Sequence, residues 1–171
     1  MCGIAGIIYR DGSQHPIGDE MTSMLQSMKH RGPDSTGYAL YGKPSNLVVM
    51  RYKLADANTP RDFEYSDRLQ RNGAEVQRRL ASIGARVQEL EEETEYAFRV
   101  TLEYGGDLKE LADYVEDVPD CEVLSLGNSL EIVKDLGDAE TVSDGYQLDA
   151  FTGTHATVSY THLTLPTICS V

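Results

Sequence analysis

The chain has 171 residues, enough for one domain with a sizeable core or a domain carrying one compact insertion, and crowded for two full domains. Its apolar fraction of 40% and charged fraction of 25% are those of an ordinary globular protein, which sets aside disordered and membrane-embedded classes. A formal net charge of −13 argues against a nucleic-acid surface and an anionic membrane face, since both need clustered Lys and Arg. The three cysteines, Cys2, Cys121 and Cys169, match neither a disulfide framework nor a zinc spacing, so a reducing, cytoplasmic setting is expected. The apolar stretch at 4–9 is too short for a signal sequence and lacks a basic segment before it. No run approaches membrane-spanning length, so neither export nor an anchor is expected.

In chain order, residues 2–9 read as a strand with apolar residues on both faces, the pattern of a strand sandwiched between two layers. Residues 17–28 place Ile17, Met21, Met24, Leu25 and Met28 at helical spacing, and that helix must stop before Pro33. Residues 38–41 and 46–54 read as the next strands. The segment 63–83 is a charged helix with Leu69, Val76, Leu80 and Ile83 on one face, ended by Gly84. Residues 86–92 and 96–104 read as two antiparallel strands, 108–115 as a short amphipathic helix, 122–126 and 129–134 as strands. Counted from 46–54, the order is strand, helix, strand, strand, helix, strand, the split βαβ arrangement. An inserted, ferredoxin-like βαββαβ unit is therefore expected at about 45–133. Gly137 and Asp138 read as a turn.

Cys2 is the first chemical signal. A penultimate cysteine permits removal of Met1, which would leave a thiol and a free α-amine on one carbon. The thiol, near pKa ~8.5, can be deprotonated by an amine near ~7.7 to 8.0, so nucleophile and base occupy a single residue. Alone, such a cysteine reads as a small hydrophobe on a buried strand. Gly3 beside it removes a side chain and permits close backbone approach. The stretch HRGPDSTG at 30–37 reads locally as a turn, with Pro33 fixing φ, Gly32 free in its backbone angles, and Asp34 and Ser35 able to bond nearby amides. Arg31 in it could hold a carboxylate or orient a carbonyl.

Together, MCGIAGI at 1–7 and HRGPDSTG at 30–37 strongly resemble the class II, or N-terminal-nucleophile (Ntn), glutamine amidotransferases. GNSLEIVKDLG at 127–137 and FTGTHA at 151–156 look like the glutaminase branch of the glutamate synthase and N-methylglutamate synthase systems. The resemblance runs over 1–157. It implies an α+β chain with an αββα four-layer Ntn-hydrolase sandwich, incomplete here. It further implies hydrolysis of the glutamine side-chain amide with Cys2 as nucleophile, Gly3, Arg31, Gly32 and Asp34 as active-site support, and ammonia passed to a synthase subunit or domain. No cofactor is expected in this chain, and a flavin or iron–sulfur cluster, if any, would belong to a partner. His15, His30 and His155 are scattered without ligand spacing, so no metal is expected.

After Thr157 the chain departs from the family. The arginine stretch that grips the glutamine α-carboxylate, the Asn-Gly pair of the oxyanion hole and the aspartate for the substrate's amino group do not follow. Asn72 and Gly73 lie upstream and are set aside as a decoy. The segment VSYTHLTLPTICSV has no charged residue, and its first ten residues resemble one reading frame through a sequencing adapter. A non-native tail is therefore expected at 158–171, and negligible glutaminase activity for this chain. The competing reading is a non-catalytic regulatory or partner-binding module built on the same scaffold.

Overall fold

The structure, a computed structural model, describes residues 3–31 and 34–161, with Arg31 and Thr161 described by their backbone only. The chain divides into two compact units, one from residues 3–44 and 129–161, the other from 45–128. The elements in order are β1 (Gly3–Ile8), α1 (Ile17–Gln26), β2 (Ser35–Tyr41), β3 (Val48–Lys53), α2 (Tyr65–Ser82), β4 (Arg86–Glu92), β5 (Ala97–Glu103), α3 (Leu108–Glu116), β6 (Glu122–Gly127), β7 (Leu130–Leu136), α4 (Ala139–Gly145) and β8 (His155–Thr161). Two 3₁₀ turns, Lys29–Arg31 and Leu148–Ala150, complete them. This is an α+β chain with two antiparallel sheets.

In the first unit the sheet order is β1-β8-β2-β7, antiparallel throughout. The buried residues of β8 alternate, Ala156, Val158 and Tyr160, the period of a strand with one covered face. The limit expected near Thr157 thus falls inside a strand whose next two core positions are filled. Ile17, Met21 and Leu25 follow at four-residue spacing along α1 and are fully buried against the same face. Met24, expected in that stripe, is 40% exposed, because the buried arc of so short a helix is narrower than its apolar content. β1 differs from its sequence reading too. Ile4 and Ile8 are 75% and 76% exposed, since helices cover only one side of this sheet. α1 can lie close to the 148–151 segment because Gly18 has no Cβ: one placed there would overlap the Leu148 carbonyl.

In the second unit β3, α2, β4, β5, α3 and β6 form a sheet of order β4-β5-β3-β6, again all antiparallel. That is the strand order of a split βαβ fold. Val76 and Leu80 of α2 and Leu111 and Val115 of α3 are fully buried against Met50, Tyr52, Val100 and Leu102 of the sheet. α3 starts at Asp107, whose side chain accepts from the Lys109 and Glu110 amides. α2 ends where Gly84 takes φ +79 and Ala85 N donates back to Leu80 O at 3.0 Å. The unit closes before the expected 133, because β7 pairs with β2 in the other sheet.

Candidate functional site

Of the residues that the sequence marks for catalysis, Cys2 and Gly32 lie outside the described residues. Gly3 opens β1 and is buried. The Arg31 backbone closes the first 3₁₀ turn, and Asp34 is exposed just before β2. Strand register brings the two motifs together. Gly3 lies opposite Tyr160 on β8, and Thr36 lies opposite the same Tyr160 from the other side. Each step across the sheet is about 4.8 Å, so Gly3 and Thr36 stand about 10 Å apart. Thr36 also faces Asp135 of β7. A row of buried residues, Gly3, Tyr160, Thr36 and Asp135, therefore crosses all four strands at one end of the sheet.

Hydrogen bonds to the loop after β7 fix this end. Gly137 N donates to the Asp34 carbonyl at 3.1 Å, and Thr36 Oγ1 donates to the Gly137 carbonyl at 2.7 Å. Gly137 adopts φ +116, a left-handed angle that favours glycine, and a Cβ there would press on Thr141 at 3.2 Å. The next turn is held by two tyrosines. Tyr160 Oη accepts from Ala139 N at 3.0 Å, while Tyr38 Oη donates to Ala139 O at 3.0 Å, so both polar groups of residue 139 are satisfied. Burial pushes the Tyr38 phenol up to about 12, which keeps it a neutral donor at physiological pH. Tyr146 Oη donates to the buried Asp135 carboxylate at 2.7 Å.

Asp138 caps α4. Its carboxylate accepts from Thr141 N at 2.9 Å and from the Thr141 hydroxyl at 2.7 Å, and lies 2.6 Å from Lys29 Nζ. The Lys29 ammonium first, then the Thr141 donors, hold the carboxyl well below its ordinary range. The Lys29–Arg31 turn is thereby tied to α4 through Lys29. The buried row contains no thiol, imidazole or amine. It is a scaffold that fixes the start of β1 and the start of β2 on either side of the end of β8.

FTGTHA lies at the far end of the same sheet. His155 pairs with Ile8 and Tyr41, about 17 Å along β8 from Tyr160. Gly153 exchanges two 2.9 Å backbone bonds with His15, Thr154 N donates to Tyr41 O at 3.0 Å, and Tyr9 N donates to Thr154 O at 2.9 Å. A Cβ on Gly153 would collide with the Tyr41 carbonyl and the Ile17 side chain. This motif therefore stitches β1, α1 and β2 together at the end opposite the candidate site.

Other polar groups among the described residues do not assemble into chemistry. Asn72 and Gly73 sit within α2, where Asn72 Nδ2 donates to the Pro119 carbonyl at 2.8 Å. Ser13 Oγ and Asp11 Oδ2 both approach the same nitrogen of His15, Nε2, at 2.7 and 3.2 Å, so the three cannot relay a proton as a catalytic triad does. Burial pushes the Cys121 thiol up to about 12, which leaves it protonated and unreactive. Among the described residues no cluster of three or more His, Cys, Asp or Glu could hold a metal. No described helix is long and apolar enough to cross a membrane. The sequence alone does not disclose the part of Tyr160, Thr36 and Gly137 in building the site. The alternation Ala156, Val158, Tyr160 was the signal that could have revealed β8.

No protein-family model matches the chain. Two curated proteins are similar to it. A protein of Methanothermobacter thermautotrophicus named "Putative glutamine amidotransferase" is 34% identical over 161 residues, covering 91% of this chain and 50% of the relative. "Glutamine amidotransferase-like protein GlxB" of Rhizobium meliloti is 26% identical over 156 residues, covering 91% of this chain and 48% of the relative. The chain thus spans about half the length of the curated relatives it matches. Similarity of this extent, taken with the convergence of the two N-terminal motifs on Tyr160, supports a glutamine amidotransferase-like domain in this chain.

Proposed function

We propose that this chain is part of the glutaminase half of a class II, N-terminal-nucleophile glutamine amidotransferase. With Met1 removed, the Cys2 α-amine takes the thiol proton and the thiolate attacks the carboxamide carbon of glutamine. The tetrahedral intermediate collapses as the amine returns that proton to the departing nitrogen, which leaves as ammonia. Water then hydrolyses the γ-glutamyl thioester, releasing glutamate and restoring the thiol. Ammonia passes to a synthase subunit or domain, in a cytoplasmic setting. Arg31 and Gly32 would organise the loop beside the nucleophile, with Asp34 bracing the turn through its carbonyl bond to Gly137 N.

The observation that carries this reading is the register that sets Gly3 and Thr36 on either side of Tyr160. A nucleophile next to Gly3 and a supporting loop next to Thr36 then start from the two strands that flank β8, held by buried side chains. The 171-residue chain itself is proposed to turn over glutamine negligibly. It lacks the sequence that supplies the carboxylate clamp and oxyanion donors in the family, and losing one such donor costs ~100 to 1,000-fold in rate. The test is intact mass and glutamine turnover of the full-length parent. Loss of Met1 and ammonia release abolished by Cys2→Ser are expected; retention of Met1 in an active enzyme would sink the mechanism.

A further inference from the structure

The second unit holds a cavity of about 410 Å³ lined by Lys53, Leu54, Asp56, Arg68, Asp120 and Glu122, in the size range of clefts that take small molecules. Its charges are sorted by depth. The Lys53 side chain is only 5% exposed, whereas Asp56 and Asp120 are 59% and 56% exposed at the mouth. Lys53 ends β3 opposite Glu122 of β6, so the two share a face of the sheet. Lys53 Nζ lies 2.5 Å from Asp56 Oδ1 and 5.7 Å from the centre of the Tyr96 ring.

Arg68 reaches the cavity from the first turns of α2. Its closest carboxylate oxygens, on Asp62 and Asp120, are 3.6 and 3.8 Å away, charge contacts beyond hydrogen-bond length. Its guanidinium rests 5.9 Å over the Tyr65 ring and makes no hydrogen bond to another described residue. A planar fork of five N–H donors, propped on an aromatic ring beside a buried ammonium, has the geometry that a carboxylate fills with two parallel bonds. Asp120 adopts φ +61, a left-handed angle that aspartate tolerates, and its carboxylate stands next to the fork.

The balance of charges narrows the ligand. A simple anion would meet three carboxylates, and a simple cation would meet the buried Lys53. A molecule bearing a carboxylate and an ammonium on one carbon satisfies both, because Arg68 and Asp120 are immediate neighbours. We propose that this cavity binds a free α-amino acid, its carboxylate held by Arg68 and its ammonium by Asp120. The cavity is lined wholly by the second unit, and the proposal does not depend on the glutaminase reading.

The test is calorimetric titration of the 171-residue chain carrying Cys2→Ala, which removes turnover, with L-glutamate, L-glutamine and glycine. Acetate, ethylammonium and inorganic phosphate serve as single-charge controls. Saturable binding of an amino acid is expected, with acetate and ethylammonium at least about tenfold weaker, since each forgoes a charge-assisted contact. Arg68→Gln and Asp120→Asn, both at partly exposed positions, are expected to weaken binding about tenfold or more while leaving Tm unchanged. The proposal is overturned by no saturable binding up to about 10 mM amino acid. Phosphate or acetate binding as tightly as the amino acids overturns it too, as does amino-acid binding untouched by Arg68→Gln and Asp120→Asn.

Discussion

The two sheets are built alike and finished differently. Each has four antiparallel strands with helices on one face, yet the first exposes Ile4 and Ile8 on its bare side while the second buries Arg51 and Lys53 among its strands. Arg51 is paired with Glu93 and Lys53 with Asp56, so the buried cations are matched. The contrast separates two uses of a half-covered sheet. Where the first unit works, in the proposed reading, it is at the strand ends, and the sheet needs only to hold β1, β8 and β2 in register. Where the second works, it is through charged side chains set into the sheet itself.

Substitutions can break that contrast, and the largest effect belongs to the first unit. Cys2→Ser in the full-length parent is expected to lower glutamine hydrolysis by at least about 1,000-fold with no change in Tm, because nucleophile and base share that residue. Steady-state ammonia release checks it, and a loss of less than tenfold would place the chemistry elsewhere. Next comes Leu111→Ala, which empties a fully buried position between α3 and the second sheet, at about 2–5 kcal/mol. Gly153→Ala follows at about 1–3 kcal/mol, because its Cβ would strike the Tyr41 carbonyl. Urea unfolding gives the magnitudes, and amide exchange shows where they act. Each change is expected to speed exchange in its own sheet first; equal acceleration in both sheets after either substitution would make the units one cooperative body.

The same contrast explains what the sequence disclosed. In the second unit the signals are local. β4 keeps the limits 86–92 expected from its composition, Val76 and Leu80 repeat at helical spacing, and Gly84 stops α2. In the first unit, order comes from partners distant in the chain. Ser35, Thr36 and Gly37 read as turn residues, yet they are strand because β7 and β8 pair with them from both sides. The sequence marks only the turn at Gly137 and Asp138 before α4 and no helix after it, since seven residues with only Ala139 and Val142 apolar carry almost no periodicity. The cue was Asp138, a capping residue that binds the Thr141 amide three positions on. Val158 and Tyr160 belong to the stretch 158–171, which its lack of charge and adapter-like frame set apart from the fold, though they complete the alternation begun by Ala156. For the candidate site, the sequence named the motifs, and only the register showed that Tyr160 stands between them.

Two charged pairs make the smaller tests. Asp138→Ala removes the cap of α4 and its tie to Lys29, at about 1 kcal/mol by the usual worth of a cap. Because Lys29 and the Thr141 donors depress its pKa in the folded state, the stability it adds is fully present above about pH 4, the ordinary carboxylate value. It fades as pH falls through the lower folded value. The wild-type chain should therefore lose its margin over Asp138→Ala only in acid, and a constant margin between pH 6 and the acid limit would show that the carboxylate's charge contributes nothing.

The smallest effect is expected at Lys109, whose ammonium lies 2.5 Å from Asp113 one turn along α3. On distance alone this pair matches Lys29–Asp138, but the two side chains are 71% and 61% exposed, against 16% for Asp138. Water and salt screen such a pair, and ordering two long side chains offsets what attraction remains. Nor does the pair cap the helix, since Asp107 already accepts the first amides of α3. Lys109→Met is thus expected to leave Tm unchanged and independent of salt. A salt-sensitive fall in Tm as large as that from Asp138→Ala would mean that separation, not burial or capping, decides what an ion pair adds to this fold.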